Sequence, residues 1–261
     1  MEEMLKTAIL GAIQGFTEFL PVSSSGHLLV FRKMFGLAEA GLLLDTMLHL
    51  GTLLAVVAVF WRDIWEMIKK PFSHLTLLIV VGTIPTGIIG LLFKDTFESL
   101  ARTGITVGWE FIATGIILWL ADNLKDRGLK DVNRITFKES FIVGTLQGVA
   151  ILPAISRSGL TIAGSLFQGI ERKTAAKFSF LLSIPAIMGA VVVQGKDLFE
   201  GSIEGIGMSS LVVGTLVSAL CGYIAVRWML KIIQRGSLKG FSVYVWIIGA
   251  GILLAQFLGR F

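Results

Sequence analysis

Charge and cysteine are the two things that this 261-residue sequence has little of. Only 16% of its residues are charged, whereas soluble domains carry about 25%, so one water-soluble core does not account for the chain. The single cysteine, Cys221, excludes an intrachain disulfide framework and a multi-cysteine metal site, and its apolar surroundings indicate a small packing residue. The sequence has no Walker loop, HExxH motif, paired CxxC or basic patch with interleaved aromatics. Nucleotide, zinc-protease and redox chemistry and a nucleic-acid partner are therefore not expected.

Long apolar runs are what the sequence has instead, and 54% of its residues are hydrophobic. Crossing a hydrocarbon core takes roughly 20 helical residues. Six runs are long enough, near 42–61, 74–93, 104–121, 175–194, 208–233 and 241–259. The first residues place two acids and one lysine before an apolar stretch, unlike a secretory leader, so we expect a mature N-terminus.

Four shorter apolar runs form two pairs, 4–20 with 25–37 and 139–152 with 159–170. A polar stretch rich in proline, serine and glycine joins the members of each pair. Two half-length helices joined by polar backbone predict a re-entrant hairpin, which membranes tolerate only where protein or a water-filled cavity surrounds it. The predicted fold is an all-α integral membrane protein with six transmembrane helices and two re-entrant helical hairpins.

Lysine and arginine cluster after the first and fifth spans, before the fourth span, and in the loop 123–138. The positive-inside rule places these four clusters in the cytoplasm and the acidic segment near 196–205 outside. The first hairpin then enters from outside and the second from the cytoplasm. Arg32 and Lys33 are the exception to this rule.

The two hairpin sequences resemble each other. Segments 11–28 and 144–161 share Gly-x-x-Gln-Gly, Leu-Pro and Ser-x-Ser-Gly in the same order. With the topology above, this predicts an inverted repeat within a single membrane domain, with halves of about 1–122 and 136–261 joined by a basic cytoplasmic loop, 123–135. Inverted repeats with broken helices place a site at the interface between the halves, as in many transporters.

The first hairpin carries an acid, serines and a histidine within ten residues. Gln14 and Glu18 share one helix face, and an acid at membrane depth marks a functional site unless it only caps the next half-helix. His27 is either a hydrogen-bonded structural group or a proton carrier. The serines between them either cap the return helix or provide a nucleophile: Ser23, Ser24 and Ser25. Together these residue types can supply base, nucleophile and proton carrier.

The second hairpin carries Arg157 between two short apolar runs. An arginine at a helix centre costs about 2.5–3.5 kcal/mol, so it needs an anionic partner. That partner is either Glu18, reached across the repeat interface, or the phosphates of a ligand, which suit a planar guanidinium. Further donors for such a ligand are Ser156, Ser158 and Thr161.

Asp45 and His49 lie four residues apart at the start of the first span. This spacing suits either a pair of metal ligands or a hydrogen bond within one helix. We favour the intrahelical hydrogen bond.

The motifs resemble those of a known family. QGFTEFLPVSSSGHL looks like the first motif of the undecaprenyl-diphosphate phosphatase (bacitracin-resistance) family, and LPAISRSGLT is similar to its second motif. The likeness covers essentially the whole chain, including FSFLLSIPAIMGA from Phe178. Two departures are Gln14, where many members have glutamate, and Ala154, where the motif has a glycine that takes positive φ freely.

The resemblance implies a hydrolase that removes the terminal phosphate of undecaprenyl diphosphate and so recycles the cell-wall lipid carrier. It also implies a divalent cation (Mg²⁺ or Ca²⁺), a multi-pass location in the cell membrane, and a site open to the outer face. The partners expected are a polyprenyl diphosphate and the lipid bilayer, and a homodimer is left open. A transporter or flippase that binds an anionic isoprenoid lipid at Arg157 is the alternative.

On this resemblance, Arg157 holds the phosphates and Ser24 is the nucleophile. His27 moves the proton, and Glu18 either ligates the metal or orients the nucleophile. A water activated by His27 or Glu18, with Ser24 only binding phosphate, stays open as a variant. Substrate-binding roles are expected for Gln14, Ser23, Ser25, Ser156, Ser158 and Thr161.

Overall fold

The computed structural model describes residues 1–37, 41–123, 130–200 and 206–260. Within these ranges the chain forms twelve α-helices, a short 3-10 helix at Val132–Arg134 and one isolated bridge between Lys130 and Ile170. In chain order, α1 to α12 are Glu2–Phe19, Ser24–Phe35, Gly41–Val59, Trp61–Lys69, His74–Leu92, Lys94–Thr103, Val107–Asp122, Phe137–Val149, Arg157–Phe167, Arg172–Glu200, Met208–Arg235 and Lys239–Phe257.

Six of these helices occupy the predicted spans: α3, α5, α7, α10, α11 and α12. Within the described ranges, α5, α10, α11 and α12 are each long and apolar enough to cross a membrane. The helices α3 and α7 reach that standard together with the neighbouring α4 and α6. The predicted all-α membrane fold is confirmed.

Helices α4 and α6 were not predicted. The chain bends by 76° between α3 and α4, so the first span ends at Val59 rather than at residue 61, and by 108° between α6 and α7. In α4 the apolar residues recur at helical spacing instead of forming a run. Both helices are amphipathic, and a search for continuous apolar runs does not detect that pattern.

Both hairpins form where they were predicted, as α1–α2 and α8–α9. A serine caps the start of each return helix. The side chain of Ser23 accepts the N–H of Gly26 (3.3 Å), and that of Ser156 accepts the N–H of Gly159 (3.1 Å). Serine is a preferred N-cap because it satisfies a free amide of the first helical turn. The capping alternative therefore holds for Ser23, and Ser156 acts as a cap that was not predicted.

The helices of the two halves interlock. Helix α1 packs along α11 while α8 packs along α5, and α3 contacts α11 as α10 contacts α5. When the two predicted halves are exchanged, the α1–α11 contact becomes the α8–α5 contact. The α3–α11 contact likewise becomes the α10–α5 contact. Helix α7 packs on α12, and α3 on α10, across the same interface. These are the contacts that an inverted repeat would make. The division of the chain into the halves 1–122 and 136–261 stays a prediction.

The repeated glycines have a packing role. A Cβ atom added at Gly11 would overlap the backbone carbonyl of Gly214 in α11. One added at Gly144, the matching position, would overlap the carbonyl of Gly82 in α5. Small residues let membrane helices approach to backbone contact. The first glycine of each Gly-x-x-Gln-Gly motif thus serves the packing of its hairpin on a neighbouring helix.

The segments that carry basic clusters meet at one end of the bundle. Arg172, which begins α10, forms an ion pair with Asp122 at the end of α7 (2.9 Å) and donates to the carbonyl of Gly236 (3.2 Å). Lys177 pairs with Asp63 of α4 at 2.5 Å. These contacts bring the ends of α7 and α11, the start of α10 and helix α4 together, as the predicted topology requires.

The other end of the bundle holds the start of α1. Glu3 accepts the N–H of Gly207 (2.9 Å), so α1 begins beside the start of α11. The two hairpins therefore enter from opposite ends. Residues 124–129 and 201–205, and the side chains of 195–200, lie outside the described residues, so those two loops are placed only by their ends. Which end faces the cytoplasm stays a prediction.

Candidate functional site

The two hairpin tips meet inside the bundle, at the carboxylate of Glu18. The hydroxyl of Ser24 donates to Glu18 Oε2 (2.5 Å), and the amide nitrogen of Gln14 donates to the same oxygen (2.9 Å). Arg157, on the other hairpin, forms an ion pair with Glu18 Oε1. His49 Nε2 of α3 lies 3.8 Å from Oε2. Glu18 is only 6% exposed, so its charge is buried and is balanced by these neighbours.

This geometry confirms the predicted approach of Arg157 to Glu18. A second contact joins the tips, because the hydroxyl of Ser158 donates to the carbonyl of Leu20 (2.9 Å). Arg157 is the first residue of α9, a helix whose first amides lack intrahelical acceptors. Both features are favourable for an anion.

Two buried polar atoms next to the Glu18–Arg157 pair have no partner among the described residues. They are Arg157 Nη1, a donor, and Gln14 Oε1, an acceptor. A buried polar atom without a partner costs free energy, so such atoms in a folded protein point to a ligand or ion. One unpartnered donor and one unpartnered acceptor suit, respectively, a phosphate oxygen and a cation.

His27 makes two hydrogen-bond contacts, neither of them with Ser24. Its Nδ1 contacts the carbonyl of Ser23 (2.6 Å) and its Nε2 contacts the hydroxyl of Tyr244 (2.8 Å). Because a carbonyl only accepts, Nδ1 carries a proton, and the Tyr244 hydroxyl donates to Nε2 when the ring is neutral. Both ring nitrogens are occupied, and no hydrogen bond between His27 and Ser24 occurs in the described part of the chain. The hydrogen-bond acceptor of Ser24 is Glu18, and the role of His27 in moving the proton stays a prediction.

The other predicted substrate-binding hydroxyls fall into two groups. Thr161 donates to the carbonyl of Arg157 (2.9 Å) and shares a hydrogen bond with Ser179 (2.6 Å). Thr161 therefore uses its proton within the second hairpin, whereas Ser23 and Ser156 accept backbone N–H groups as caps. Ser25, by contrast, is exposed. Whether any of these groups binds substrate stays a prediction.

Ser23 also adopts an unusual backbone conformation. Among the described residues other than glycine, it alone has a positive φ, at 67°. A non-glycine residue held there costs about 1–3 kcal/mol, and such strain clusters at functional sites. This turn places Ser24 at the start of α2, within hydrogen-bond reach of Glu18.

Asp45 and His49 form the intrahelical contact that was favoured over a metal pair. His49 Nδ1 donates to the backbone carbonyl of Asp45 (2.7 Å), which leaves Nε2 directed at Glu18. The Asp45 carboxylate pairs with Arg32 (3.2 Å). On the predicted orientation, this ion pair would offset the charge of Arg32 on the side that the positive-inside rule disfavours.

Four residues near the tips were missed by sequence reasoning as parts of the site: Tyr244, His49, Glu110 and Thr114. Glu110 accepts the N–H of Ala154 (2.6 Å) and Thr114 that of Ser156 (3.1 Å), both from α7. An acid inside an apolar run was the available signal for Glu110. Nothing in the sequence connects the other three to the hairpins.

The residues around Glu18 can accommodate a divalent cation. Within the described residues, no group of three or more His, Cys, Asp or Glu side chains could hold a metal by itself. One carboxylate and the unpartnered Gln14 Oε1 are hard oxygen ligands, and a cation that works on phosphates commonly takes its remaining ligands from substrate and water. The residues fit a cation held jointly with a phosphate ligand.

Comparison with known proteins gives consistent results over the whole chain. The family model described as bacitracin resistance protein BacA matches residues 7–251. Undecaprenyl-diphosphatase 4 of a Bacillus cereus strain is 56% identical over 253 residues, which are 97% of each chain. The undecaprenyl-diphosphatase of Carboxydothermus hydrogenoformans is 53% identical over 255 residues, again 97% of each chain. That of Halothermothrix orenii is 44% identical over 254 residues, 97% of this chain and 98% of the relative.

Proposed function

The chain belongs to the bacitracin resistance protein BacA family, and from that premise we propose that it is an undecaprenyl-diphosphatase. It is a multi-pass membrane hydrolase that removes the terminal phosphate of a polyprenyl diphosphate and leaves the monophosphate lipid. A flippase using the same arginine is not favoured, because the matched relatives bear the name of a phosphatase.

One observation carries the proposed chemistry: Ser24, Glu18 and Arg157 meet in one buried cluster. The Ser24 hydroxyl already donates to Glu18, which is the arrangement of a nucleophile with its base. Arg157 Nη1 has no partner among the described residues and can donate to the substrate while its other nitrogen holds Glu18. A guanidinium fixed in this way stabilises the charge that develops on transferred phosphate oxygens.

The proposed reaction has two balanced steps. Ser24 Oγ forms a bond to the terminal phosphorus, its proton passes to Glu18 Oε2, and the bond from that phosphorus to the bridging oxygen breaks. The polyprenyl monophosphate leaves. Water then forms a bond to the phosphorus of the phosphoserine and the bond from that phosphorus to Ser24 Oγ breaks. The proton held by Glu18 passes to Ser24 Oγ, and inorganic phosphate leaves with the two protons of the water. In the variant without a covalent intermediate, Glu18 takes the proton from water and Ser24 only binds phosphate.

The cation proposal involves Glu18 and Gln14. These residues would hold Mg²⁺ or Ca²⁺ together with the diphosphate oxygens. The cation, when bound, offsets charge on the leaving phosphate. Because one glutamine replaces a second carboxylate, the protein supplies less negative charge, and the phosphates supply more of the binding.

We further propose that the basic end of the bundle lies in the cytoplasm and that the protein resides in the cell membrane. The lysine and arginine distribution supports this orientation. The first hairpin, which carries Ser24, then enters from the outer face, which supports a working site that opens outward.

The test is release of inorganic phosphate from undecaprenyl diphosphate by the purified protein in detergent. Detergent leaves no second compartment, so a transporter without phosphatase activity would release none. We expect multiple turnovers that depend on Ser24, Glu18 and Arg157. An active wild type whose turnover is unchanged by Ser24→Ala would exclude the covalent route and leave the water route.

A further inference from the structure

Helix α7 holds the turn that precedes Arg157. The Glu110 carboxylate accepts the N–H of Ala154 (2.6 Å), and one helical turn later the Thr114 hydroxyl accepts the N–H of Ser156 (3.1 Å). These are alternate amides of the segment that leads directly into the arginine. Helix α7 belongs to the predicted half 1–122, as the first hairpin does. Its two side chains therefore define where the turn of the second hairpin lies relative to the first hairpin.

The turn needs such acceptors because it is buried and not helical. Ala154 is 0% exposed, and a buried amide without an acceptor costs about as much as a lost hydrogen bond. Its φ is not positive, so alanine is accommodated at the motif's glycine position without backbone strain. A carboxylate forms a stronger bond to the amide than a neutral acceptor does.

Glu110 is an unusual choice for an acceptor. It is only 6% exposed, no cation pairs with it within the described ranges, and its second oxygen, Oε1, has no partner there. A buried carboxylate with one amide partner is costly in the folded protein. A hydroxyl or amide side chain would also satisfy the Ala154 amide, at a lower cost in folding stability.

The same stretch of α7 also contacts the first hairpin. The ring of Phe111 lies edge-on to the ring of His27, with centroids 5.4 Å apart. It also lies so close to Gly26 that a Cβ atom there would overlap it. Neighbouring residues of one helix therefore touch both tips, Glu110 the second and Phe111 the first.

We propose that Glu110 is a positioning residue for phosphate hydrolysis. It fixes the turn at Ala154 so that the Arg157 guanidinium stands between Glu18 and the substrate phosphate, and Thr114 supports the same turn. The inference rests on the proposed function, because it concerns how Arg157 is aimed at that substrate.

Kinetics of Glu110→Ala, Glu110→Gln and Thr114→Val test this role. A misplaced Arg157 weakens the transition state more than substrate binding, so we expect Glu110→Ala to lower kcat about 10- to 100-fold with KM changed less than about threefold. Glu110→Gln retains an oxygen acceptor and should recover kcat to within about threefold of wild type. The exposed acid Glu66 of α4 provides the control Glu66→Ala, expected to be unchanged. A purely structural role predicts instead a lower Tm with unchanged kcat in the folded fraction.

An Arg157→Lys background makes the test specific for Arg157. If Glu110 acts through Arg157, adding Glu110→Ala to Arg157→Lys should cause no further loss of kcat, because groups acting as a unit are non-additive. A second loss that multiplies the first overturns the inference. If Glu110→Ala does not fold, Thr114→Val in the same two backgrounds decides by the same criterion. No phosphate release by the wild type overturns the proposed function and the inference together, whereas a multiplied loss in an active enzyme overturns the inference alone.

Discussion

The carboxylate of Glu18 and the guanidinium of Arg157, 139 positions apart in sequence, form an ion pair where the two hairpin tips meet. The sequence allowed either this pair or a phosphate clamp. The structure makes the two compatible, since Nη2 of the arginine contacts Glu18 while Nη1 has no partner among the described residues. One side chain can therefore neutralise the buried acid and bind substrate.

Substitutions of Arg157 should separate these two roles. Arg157→Lys keeps the charge but loses the planar fork, so we expect normal folding and severely impaired turnover. Arg157→Ala should lose about 10²–10³ in rate, or about 3–4 kcal/mol of transition-state stabilisation. It should also lose stability, because it leaves a buried carboxylate unpaired. The measurements are thermal stability and phosphate release for each variant.

The double variant Glu18→Gln with Arg157→Ala is the control for stability. It removes the unpaired charge, so we expect Tm to recover while activity does not. A lysine variant with near-normal turnover would show that the fork is unnecessary and would favour a purely structural ion pair.

Ser24 and Ser25 offer a matched pair for the nucleophile. Ser24 is 8% exposed and donates to Glu18, whereas Ser25 is exposed. We expect Ser24→Ala to lower kcat by at least about 10²-fold, as losing a nucleophile or a key phosphate donor does. Ser25→Ala should stay within about threefold of wild type. Equal losses at both positions would contradict the assignment and return Ser25 to the site.

Metal dependence is expected for turnover. Excess chelator should abolish phosphate release, and added Mg²⁺ or Ca²⁺ should restore it, because Glu18 and Gln14 would hold the proposed cation together with the phosphates. Gln14→Glu adds a carboxylate and should lower the cation concentration needed for half-maximal rate. Full activity in excess chelator would remove the cation from the mechanism and leave Glu18 as base alone.

The glycine contact between the hairpin and α5 predicts a stability effect away from the chemistry. Gly144→Ala places a Cβ against the carbonyl of Gly82, and such overpacking costs typically about 1–3 kcal/mol. Gly189 in α10 has nothing within 4 Å of an added Cβ. Gly189→Ala is therefore the matched control, expected to be neutral or slightly stabilising through helix propensity. Thermal unfolding in detergent gives both values, and equal Tm values for the two variants would refute the contact.

Cysteine labelling in a Cys221→Ser background tests the topology. We expect single cysteines at Lys70 and Lys130 to be protected from an impermeant reagent added outside cells, and one at Ser209 to be labelled. Lys70 and Ser209 are exposed in the fold. Whether a cysteine at either position is labelled therefore depends on its side of the membrane and not on burial within the protein. Strong labelling at position 130 would reverse the orientation and the direction in which each hairpin enters.

Much of the fold could be predicted because it depends on local composition. Apolar runs of sufficient length specify spans, and half-length runs joined by Pro-Ser-Gly stretches specify the hairpins, wherever the chain meets a bilayer. The recurrence of Gly-x-x-Gln-Gly predicted two halves related as an inverted repeat. Helices α4 and α6 escaped prediction because their pattern is amphipathic rather than continuous.

The candidate site, too, could be predicted from the sequence only in part. The sequence by itself determined which side chains are candidates for the chemistry, because an acid and an arginine inside apolar segments are costly and point to a function. Their partners were decided by the tertiary structure. In the structure the Ser24 hydroxyl donates to Glu18, and His27 contacts the Tyr244 hydroxyl. Glu110 of α7 lies at the turn before Arg157. Those contacts depend on how helices from the two halves cross, and spacing along the chain carries no information about that crossing.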